Sequence, residues 1–511
     1  MSVISSVTSV SAVDALISEA ARRQSMAPYL LGARDGRVLT YAQLDRMSAD
    51  WQVRFRDAHI ARASRVALSI TDPLDFAVGL VAALREGLWV VPLDPTLATT
   101  RGGEHLEAAS RLGATAYIGD TRDTRDTRAD GLAVHILASR APVATSDGDE
   151  EFEGGVILAS SGTTGTPKVM ALGQRRLLHA ATTIARHHEL SVNDRCFNPL
   201  PLFHINAEVV GVLSTLVSGS SLVLDDRFHR TRFWSMLDEL EATWINAVPA
   251  IISRLVPLRE GEAVPSRIRF CRSASAPLAP ALLEKFEAVT GVSVVETYGM
   301  TEAASQICAN PLREGRKLGS VGVPVGVELR VSVSDDGTRD AAIGVGHIEI
   351  RGPSVITAYE SPGFEDRFRE GWLRTGDVGY VDDDGYVYLV GRSDDVINRG
   401  GEKIYPREIE ELILAHEAVS RVVVVARPDD VFGQVPVAYL DLMDVDGSTD
   451  EMEVAKVVEE ICDLLVARVA RPRRPATVHV VSSIPANPNG KVRKAAFRSG
   501  TPTVLFSRTL V

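Results

Sequence analysis

Apolar positions in the first 150 residues alternate between helix-like and strand-like segments. One continuous apolar run covers residues 76–84, and a second covers 88–93, directly before Asp94 and Pro95. Alternation of this kind is typical of an α/β architecture. A further short apolar segment, residues 156–159 (VILA), predicts another strand.

Two polar segments separate these elements. Residues 121–128 repeat one triplet (TRDTRDTR) and offer no apolar face, so we predict a solvated loop there. Residues 145–155 are acidic and contain glycine. They predict a surface linker that leads into the strand at 156–159.

The pattern changes towards the C-terminus. A turn at 382–385 precedes a predicted strand at 386–390, and another strand is predicted at 422–426. Pro406 suits the first position of a helix, and Ser448 with Glu451 makes a capping box ahead of a second helix. The apolar stripes of these two helices are Ile409, Leu412 and Ile413, and Val454, Val457, Val458, Ile461, Leu464 and Leu465. We therefore expect a separate α+β unit, with the joint in the polar segment 392–395.

Composition indicates an ordinary globular protein of more than one domain. The chain has 511 residues, well above the roughly 100–200 of one domain, with 45% hydrophobic and 24% charged residues. Its formal net charge is −12. Without a basic excess to neutralise a phosphate backbone, nucleic acid is not an expected partner.

Cysteine usage and hydropathy indicate the compartment. The four cysteines (196, 271, 308 and 462) show neither a C-x-x-C pair nor zinc-finger spacing, which favours buried thiols in a reducing compartment. The N-terminus lacks the order of a secretory signal, and the uncharged stretch 209–224 is shorter than the roughly 20 residues that span a bilayer. We expect a cytoplasmic protein with no membrane span.

The strand at 156–159 runs into a loop suited to phosphate. Residues 160–168 read SSGTTGTPK. Two glycines allow close approach of the backbone to an anion, the hydroxyls donate, and Lys168 adds a positive charge. The loop is not a Walker A motif, because Pro167 stands where that motif requires glycine. A flexible surface loop of the same composition is the alternative.

This loop resembles the nucleotide-binding signature of adenylate-forming enzymes, a superfamily that contains acyl-CoA synthetases, adenylation domains of peptide synthetases and luciferases. Six further motifs follow in the family's order, and the resemblance spans residues 30–495. They are PLFH at 201–204, SASAPL at 273–278, ETYGMTE at 296–302, WLRTGD at 372–377, the block GRSDD, GGEKI and PREIE at 391–395, 400–404 and 406–410, and PANPNGK at 485–491. Their wording is most similar to the oxalyl-CoA synthetase-like and fatty-acyl-CoA ligases.

The resemblance implies the fold and the reaction. It implies a large, multi-subdomain α/β domain at 1–393 and a small mobile α+β domain at 394–511. The reaction uses ATP and Mg²⁺ to convert a small carboxylic acid into an acyl-adenylate and pyrophosphate. Coenzyme A then displaces AMP to give a thioester.

The resemblance also implies site residues. Ser161, Gly162, Thr163, Thr164, Gly165 and Lys168 would contact phosphates. Ser275, Ala276, Pro277, Glu296, Thr297, Tyr298, Gly299 and Met300 would form the adenine side. Thr301 would donate to the α-phosphate, and Glu302 would hold Mg²⁺. Asp377 and Arg392 would bind the ribose.

One lysine is expected to serve the first half-reaction only. An ammonium on a long stem, that of Lys491, can reach between the attacking carboxylate and the α-phosphate. By resemblance, the small domain then swings about Asp394, removes Lys491 and brings Gly401 to line the pantetheine tunnel. A hinge motion of this kind needs only a few residues to absorb the change.

The acyl pocket is expected to combine small, apolar and polar residues. The predicted set is His204, Asn206, Ala207, Ser273, Ala274 and Met300, with His204 also able to gate water. This mixture fits several acids, so the acyl group stays open.

Two departures from the family pattern bear on the reaction. Val169 follows Lys168 where glycine is usual, and Asn487 stands where threonine is common. A branched side chain after the phosphate loop could slow ATP use, which leaves a ligase specialised for the thioester-forming half-reaction as one alternative. A stand-alone enzyme that loads a carrier protein is the other. A homodimer is expected from the frequency of such assemblies among soluble enzymes.

Overall fold

The computed structural model describes residues 12–97, 104–120, 132–137, 153–160, 167–332, 344–443, 451–485, 492, 494–499 and 503–510. The predicted loop at 121–128 lies outside these residues, and so does the predicted linker up to residue 152. The α-helices of the described residues are α1 (Ala12–Arg23), α2 (Tyr41–Asp57), α3 (Pro73–Glu86), α4 (Glu104–Arg111), α5 (Gln174–His187), α6 (Ser214–Ser218), α7 (Phe233–Glu239), α8 (Pro249–Leu255), α9 (Pro280–Thr290), α10 (Pro406–Leu414), α11 (Glu451–Arg468) and α12 (Lys494–Ser499). A π-helix, Ala207–Leu213, precedes α6, and 3₁₀ turns cover Thr301–Ala303, Glu365–Arg367 and Arg471–Arg473.

The strands follow the same chain order. They are β1 (Pro28–Gly32), β2 (Val38–Thr40), β3 (Arg65–Ser69), β4 (Trp89–Pro92), β5 (Ala116–Asp120), β6 (Leu132–Ile136), β7 (Gly155–Ser160), β8 (Lys168–Gly173), β9 (Arg195–Asn198), β10 (Ser221–Leu224), β11 (Trp244–Ala247), β12 (Phe270–Ser273), β13 (Val294–Tyr298), β14 (Cys308–Ala309), β15 (Val323–Pro324), β16 (Glu328–Ser332), β17 (Gly346–Arg351), β18 (Phe368–Arg369), β19 (Trp372–Val381), β20 (Val387–Arg392), β21 (Ile397–Arg399), β22 (Glu402–Ile404), β23 (Val419–Asp429), β24 (Gly433–Leu442), β25 (Thr477–Val481) and β26 (Val504–Thr509). The strand predicted at 156–159 is confirmed and begins one residue earlier, inside the predicted linker.

Two sheets form the larger part of the molecule. The central sheet has the strand order β15-β14-β13-β12-β11-β9-β10-β1-β2, and the strands from β13 to β1 in this order are parallel. The second sheet has the order β6-β5-β3-β4-β7-β8. Helix α3 contacts β1 of the central sheet and β3 and β4 of the second sheet. This position explains the apolar run at 76–84, because a helix covered on several sides is apolar all round.

Helix α3 is also well capped. The carboxylate of Asp72 accepts hydrogen bonds from the backbone N–H groups of Leu74 and Asp75, both at 3.0 Å. Gly87 ends the helix with φ +77°, a left-handed conformation that favours glycine. The helix is therefore defined by local sequence at both ends and by burial between them.

A third sheet and a C-terminal sheet complete the fold. The third sheet has the order β16-β17-β19-β18, with β20 also paired to β19. The C-terminal sheet has the order β22-β21-β24-β25-β26, with β23 also paired to β24. Its apolar core includes Ile397, Ile409, Val424, Ile461 and Val480, and it forms a cluster separate from the core of the two larger sheets.

These observations confirm the α/β fold class with a large N-terminal and a smaller C-terminal part. The domain boundary at 393 and 394 stays a prediction. The helix that begins at Pro406 is confirmed, and so is the helix after residue 450, which buries Val454, Val458, Ile461 and Leu465. Ser448 of the predicted capping box lies outside the described residues. The strand predicted from residue 386 begins at Val387.

The cysteine and hydropathy predictions can also be compared with the structure. All four cysteines are buried and free, as predicted. Among the described residues, no helix combines the length and apolar character that crossing a membrane requires.

Candidate active site

The site lies where the parallel strands of the central sheet end. Neighbouring parallel strands place their carboxyl ends on one edge, and β9, β11, β12 and β13 end at Asn198, Ala247, Ser273 and Tyr298. Ligands in open α/β sheets bind at this edge. The polar residues that follow these strands are therefore collected in one region.

Lys168 begins β8, directly after the predicted phosphate loop. Its side chain is 9% exposed, and its ammonium lies 5.8 Å from the ring centroid of Tyr359 and 5.3 Å from that of Phe364. Burial and then the nearby Arg367 guanidinium lower the pKa of Lys168, while the Glu302 carboxylate acts in the opposite direction. A partly desolvated cation beside two rings is well placed to bind an anion.

Glu302 is held by a tyrosine from a different part of the chain. The hydroxyl of Tyr359 donates a 2.9 Å hydrogen bond to Oε1 of Glu302, which is 6% exposed. Burial and then the negative charge of Glu302 raise the pKa of Tyr359, so this hydroxyl stays a donor. The chemistry of the carboxylate fits Mg²⁺, which prefers carboxylate and phosphate oxygens and keeps several waters.

A tight turn presents Glu302 and its neighbour Thr301. A Cβ atom on Gly299 would lie 1.4 Å from the carbonyl oxygen of Ser305, so only glycine fits there. Thr301 begins the 3₁₀ turn, and Ala304 and Ser305 follow in left-handed conformations with φ +51° and +95°. Non-glycine residues in this region are strained, which is a recurrent property of functional turns.

Asp377 and Arg392 face each other across two antiparallel strands. They are direct register partners of β19 and β20, and Arg392 Nη1 donates to Asp377 Oδ1 at 3.2 Å. The hydroxyl of Tyr298 donates to the other carboxylate oxygen. Arg392 also donates through Nε to Asp394 Oδ1 at 3.3 Å. Burial lowers the pKa of Arg392, but Asp377 and Asp394 outweigh this effect and raise it.

The predicted adenine side is divided between exposed and buried residues. Ser275 and Pro277 are exposed and Ala276 is partly buried, whereas Glu296 is 5% exposed and burial raises its pKa to about 7. Thr297 is also buried, and its hydroxyl donates to the carbonyl oxygen of Ser273 at 3.0 Å. Glu296 and Thr297 therefore shape the strand end from inside, and Ser275 to Pro277 form its accessible surface.

Three of the predicted acyl residues, His204, Asn206 and Ala207, lie at the start of the π-helix. Asn206 directly precedes this helix, Ala207 begins it, and Asn206 Nδ2 donates to Ser275 Oγ at 3.3 Å. His204 Nε2 is buried and has no hydrogen-bond partner among the described residues, and burial lowers the pKa of this histidine. Ser273 and Ala274 are buried, and Met300 is partly buried against the main core. π-Helices occur frequently at functional sites.

The remaining predicted residues lie in the C-terminal sheet or outside the described part of the chain. Gly401 lies in the hairpin between β21 and β22 with φ +96°, and its N–H donates to Asn398 Oδ1 at 2.9 Å. The residues outside the described part of the chain are Ser161, Gly162, Thr163, Thr164, Gly165, Asn487 and Lys491.

Several residues that the structure brings into the site carry no signal that the sequence motifs supplied. Tyr359 holds Glu302, and the guanidinium of Arg367 lies near Lys168 and 2.8 Å from the position of a Cβ on Gly376. Arg272 directly precedes the SASAPL motif, and Asn246 and Gln306 contact it. Tyr359 and Arg367 lie in a segment without a distinctive motif, so no sequence signal indicated them.

Family models match most of the chain. The model for AMP-binding enzymes matches residues 17–360, and the model for the C-terminal domain of AMP-binding enzymes matches residues 408–491. The first match alone covers more than half of the protein.

Similar curated proteins are CoA ligases. The chain is 35% identical to the sulfoacetate–CoA ligase of Cupriavidus necator over 499 residues, which is 94% of this chain and 96% of that protein. It is 32% identical to the oxalate–CoA ligase of Arabidopsis thaliana over 471 residues, or 86% of this chain and 88% of that protein.

Solved structures agree in fold. The o-succinylbenzoate CoA synthetase of Bacillus subtilis, in complex with its acyl-adenylate intermediate, superimposes with a TM-score of 0.78 at 25% identity. The match covers 96% of this chain and 98% of that one. The anthranilate CoA ligase in complex with anthranoyl-AMP superimposes with a TM-score of 0.79 at 23% identity, covering 96% of each chain.

Proposed function

The chain belongs to the family of AMP-binding enzymes, and on this premise we propose how its residues divide the work of an AMP-forming acyl-CoA ligase. Enzymes of this class form an acyl-adenylate from ATP and a carboxylic acid and transfer the acyl group to CoA. The chain is an acid–thiol ligase that uses ATP, Mg²⁺ and CoA. The finer assignments below concern individual residues.

One observation supports these assignments above all others. Lys168, Glu302, Asp377 and Arg392 come from four separate motifs, and charge interactions and hydrogen bonds connect them near Tyr298 at the end of β13. The Glu302 carboxylate raises the pKa of Lys168 and the Arg392 guanidinium lowers it, so both charges lie close to the Lys168 ammonium. Arg392 also donates a hydrogen bond to Asp377. Such preorganised charges stabilise a reaction in which an anion approaches a polyanion.

Asp377 binds the ribose. Its carboxylate is fixed by the Tyr298 hydroxyl and the Arg392 guanidinium, and each oxygen can still accept a further hydrogen bond from a sugar hydroxyl. Adenine packs at the exposed segment 275–277. The tight turn at Gly299 brings Met300 and Thr301 alongside the nucleotide.

Lys168 and Arg367 bind phosphate oxygens together with the loop at 161–165. Thr301 donates to the α-phosphate. Glu302 holds Mg²⁺, which neutralises phosphate charge when bound, and Tyr359 orients the carboxylate for that purpose. In this arrangement Lys168 and Arg367 supply positive charge to the phosphates, and Glu302 supplies the one carboxylate ligand to Mg²⁺.

Lys491 serves the adenylating half-reaction, in which its ammonium stabilises charge on the acid and on the α-phosphate. The part of the chain after residue 393 acts as a mobile domain. Asp394, which is bonded to Arg392 in this structure, is the hinge. Rotation about it removes Lys491 and brings Gly401 to the path of the thiol.

His204 lines the acyl pocket in its neutral form. Burial disfavours the charged imidazole, and Nε2 is left without a partner among the described residues. A neutral ring beside the acid avoids a permanent ion pair with the reacting carboxylate, which must stay nucleophilic. Asn206, Ala207, Ser273, Ala274 and Met300 complete the pocket.

The proposal extends to the compartment and the oligomeric state of the enzyme. The four free, buried cysteines are consistent with a reducing compartment, and we propose the cytoplasm. We also propose a homodimer, because closed two-fold assemblies are the commonest form of soluble oligomers. Light scattering of the purified chain tests the dimer directly.

The test of the proposed reaction is a panel of short, long, aliphatic and aromatic acids offered with ATP, Mg²⁺ and CoA. Mass spectrometry then measures AMP, pyrophosphate and acyl-CoA. We expect AMP and acyl-CoA in equal amounts with at least one acid, and strong loss of both in Glu302→Gln. The matched control is Glu328→Gln, because Glu328 forms an exposed ion pair with Arg351 on β16 and β17. Release of ADP in place of AMP would overturn the assignment.

A further inference from the structure

Arg272 is a deeply buried cation on β12, with the whole residue 1% exposed. Among the described residues, its guanidinium donates hydrogen bonds only to the amide oxygens of Asn206 (3.4 Å), Asn246 (3.2 Å) and Gln306 (3.5 Å). Its Nε is buried and has no hydrogen-bond partner in this part of the chain. Within the described part of the chain, no carboxylate forms an ion pair with it. Burial of a charge is costly unless it is paired and well hydrogen-bonded, and these contacts are neutral and long.

The surroundings of Arg272 offer a surplus of hydrogen-bond donors. Asn246 Nδ2 donates to Asn198 Oδ1 at 2.9 Å and to Asn206 Oδ1 at 3.1 Å, so the amide acceptors are already used within the cluster. Among the described residues, Gln306 Nε2 and Arg272 Nε are buried without a hydrogen-bond partner. Both of these nitrogen atoms can only donate. An anion is the ligand that satisfies such a group.

The same cluster reaches the proposed acyl pocket. Asn206 touches Arg272 through its oxygen and Ser275 through its nitrogen, and Ser275 is exposed at the edge of the sheet. Ser275 also holds a left-handed φ of +72°, a strained conformation for serine. Two hydrogen bonds therefore connect an accessible residue of the pocket to the buried guanidinium.

A long aliphatic acyl chain does not fit this environment. It would lie against an unpaired guanidinium and unpartnered donors, and would remove them from water without replacing the lost hydrogen bonds. A short acid that ends in a second charged oxygen group would instead complete the cluster. Burial lowers the pKa of Arg272 to about 9, with Cys196 acting in the opposite direction, so the guanidinium still carries its charge near neutral pH.

We propose that the acid substrate carries a second anionic group, a carboxylate or a sulfonate a few carbons from the reacting carboxylate, and that Arg272 binds this group. The inference rests on the proposed ligase function and specifies its substrate class. Asn206, Asn246 and Gln306 position the guanidinium, and the distal anion accepts hydrogen bonds from Arg272 and from Gln306 Nε2.

The experiment compares acids matched in length. Propanoate is paired with malonate and sulfoacetate, and butanoate is paired with succinate and 3-sulfopropanoate. Specificity is measured as kcat/KM for AMP release at saturating ATP and CoA. We expect the purified full chain to prefer acids with a distal anion by about 100-fold or more, since a buried polar site strongly rejects a ligand that leaves it unpaired. The relative rates with the two acid classes show whether carboxylate or sulfonate is favoured.

Two variants test the role of Arg272. Arg272→Met removes the charge at similar volume, and Asn246→Asp supplies an internal carboxylate that competes with the ligand. Each should reduce kcat/KM for the dianionic acids, relative to that for the matched monoacid in the same variant, by about 100-fold. Arg85→Met is the control, because the Arg85 side chain is only 9% exposed but pairs with Asp14 and Asp45. The Arg85→Met variant should prefer dianionic acids to the same degree as the unmodified enzyme.

The outcomes separate this inference from the proposed function. A preference for monoacids, or a preference unchanged in both variants, overturns the role of Arg272 and leaves the ligase function intact. If Arg272→Met fails to fold, Asn246→Asp and the specificity of the unmodified enzyme still decide the matter. Absence of AMP and acyl-CoA with every acid of the wider panel overturns the ligase function itself.

Discussion

The Tyr359 hydroxyl donates to a carboxylate oxygen of Glu302 at 2.9 Å, across 57 residues of chain. Tyr359 also packs near the Lys168 ammonium. One aromatic side chain thus contacts both the anionic and the cationic group of the proposed phosphate site. Loss of the Tyr359 hydroxyl should therefore affect the proposed phosphate site without removing a charge from it.

Replacement of Tyr359 by phenylalanine should weaken the response to Mg²⁺. Hydrogen bonds to charged groups contribute about 1.5–3 kcal/mol, so we expect the Mg²⁺ concentration for half-maximal AMP release to rise about 10-fold or more. A Mg²⁺ titration at fixed ATP measures this shift. The control is Tyr388→Phe, whose ring stacks on Tyr380. A titration curve identical to that of the unmodified enzyme would contradict the role given to Tyr359.

Lys491→Ala should separate the two half-reactions. We expect acid-dependent exchange between ATP and pyrophosphate to fall by about 100- to 1000-fold, the usual effect of removing a group that stabilises transition-state charge. Formation of acyl-CoA from a synthetic acyl-adenylate should change by no more than a few-fold. Lys494→Ala is the control, because Lys494 forms ion pairs with Asp395 and Glu410. Equal loss of both half-reactions would refute the assignment.

Val169→Gly tests the departure that follows the phosphate loop. The backbone N–H of Val169 donates to Ser361 Oγ at 3.0 Å, and its carbonyl accepts from the N–H of Glu360 at 2.8 Å. Hydrogen bonds therefore hold both the N–H and the carbonyl group of Val169. Its branched side chain restricts the backbone further. If it restrains the loop, glycine should increase ATP–pyrophosphate exchange several-fold without a change in the thioester step. No increase, with Ala171→Gly as reference, would refute the restraint.

Stability should fall as the pH drops below neutrality. Burial lowers the pKa values of His187, His188 and His204, so the folded state binds protons less tightly than the unfolded chain, whose histidines titrate near 6.5. The contribution of these histidines to the free energy of unfolding is complete above pH 6.5 and decreases as the pH falls below that value. Each such histidine contributes at most about 1.4 kcal/mol per pH unit.

His188 provides the variant for this prediction, because it packs edge-on against Trp244 and Phe270. His188→Phe should lose less thermal stability between pH 7.5 and 5.5 than the unmodified protein. His229→Gln is the control, since His229 is only partly buried beside Asp226. Equal losses of melting temperature in all three proteins would show that His188 does not carry the effect.

The sequence predicts features that depend on local pattern. The all-round apolar run at 76–84 predicts a covered helix, and Pro406 with its apolar stripe predicts the first helix of the C-terminal part. The family motifs also bring Asp377 and Arg392 to one place, where strand register makes them partners.

Other features depend on tertiary contacts that no local pattern encodes. Tyr359 reaches Glu302 from a loop without a motif. The SASAPL motif directly follows Arg272. Because arginine is mostly exposed in proteins, nothing in the sequence indicates that this arginine is buried among amide side chains. Its surroundings come from Asn206, Asn246 and Gln306, which meet only when the strands assemble.

The central claim is that the acid is activated as an acyl-adenylate, and an oxygen-label experiment tests it most directly. The acid that turns over is prepared with ¹⁸O in its carboxylate and incubated with the enzyme, ATP, Mg²⁺ and CoA. Attack of this carboxylate on the α-phosphate, followed by transfer to the thiol, leaves one labelled oxygen on phosphorus. The account predicts AMP that carries one ¹⁸O and unlabelled pyrophosphate. Unlabelled AMP, or label in orthophosphate together with ADP, would contradict it.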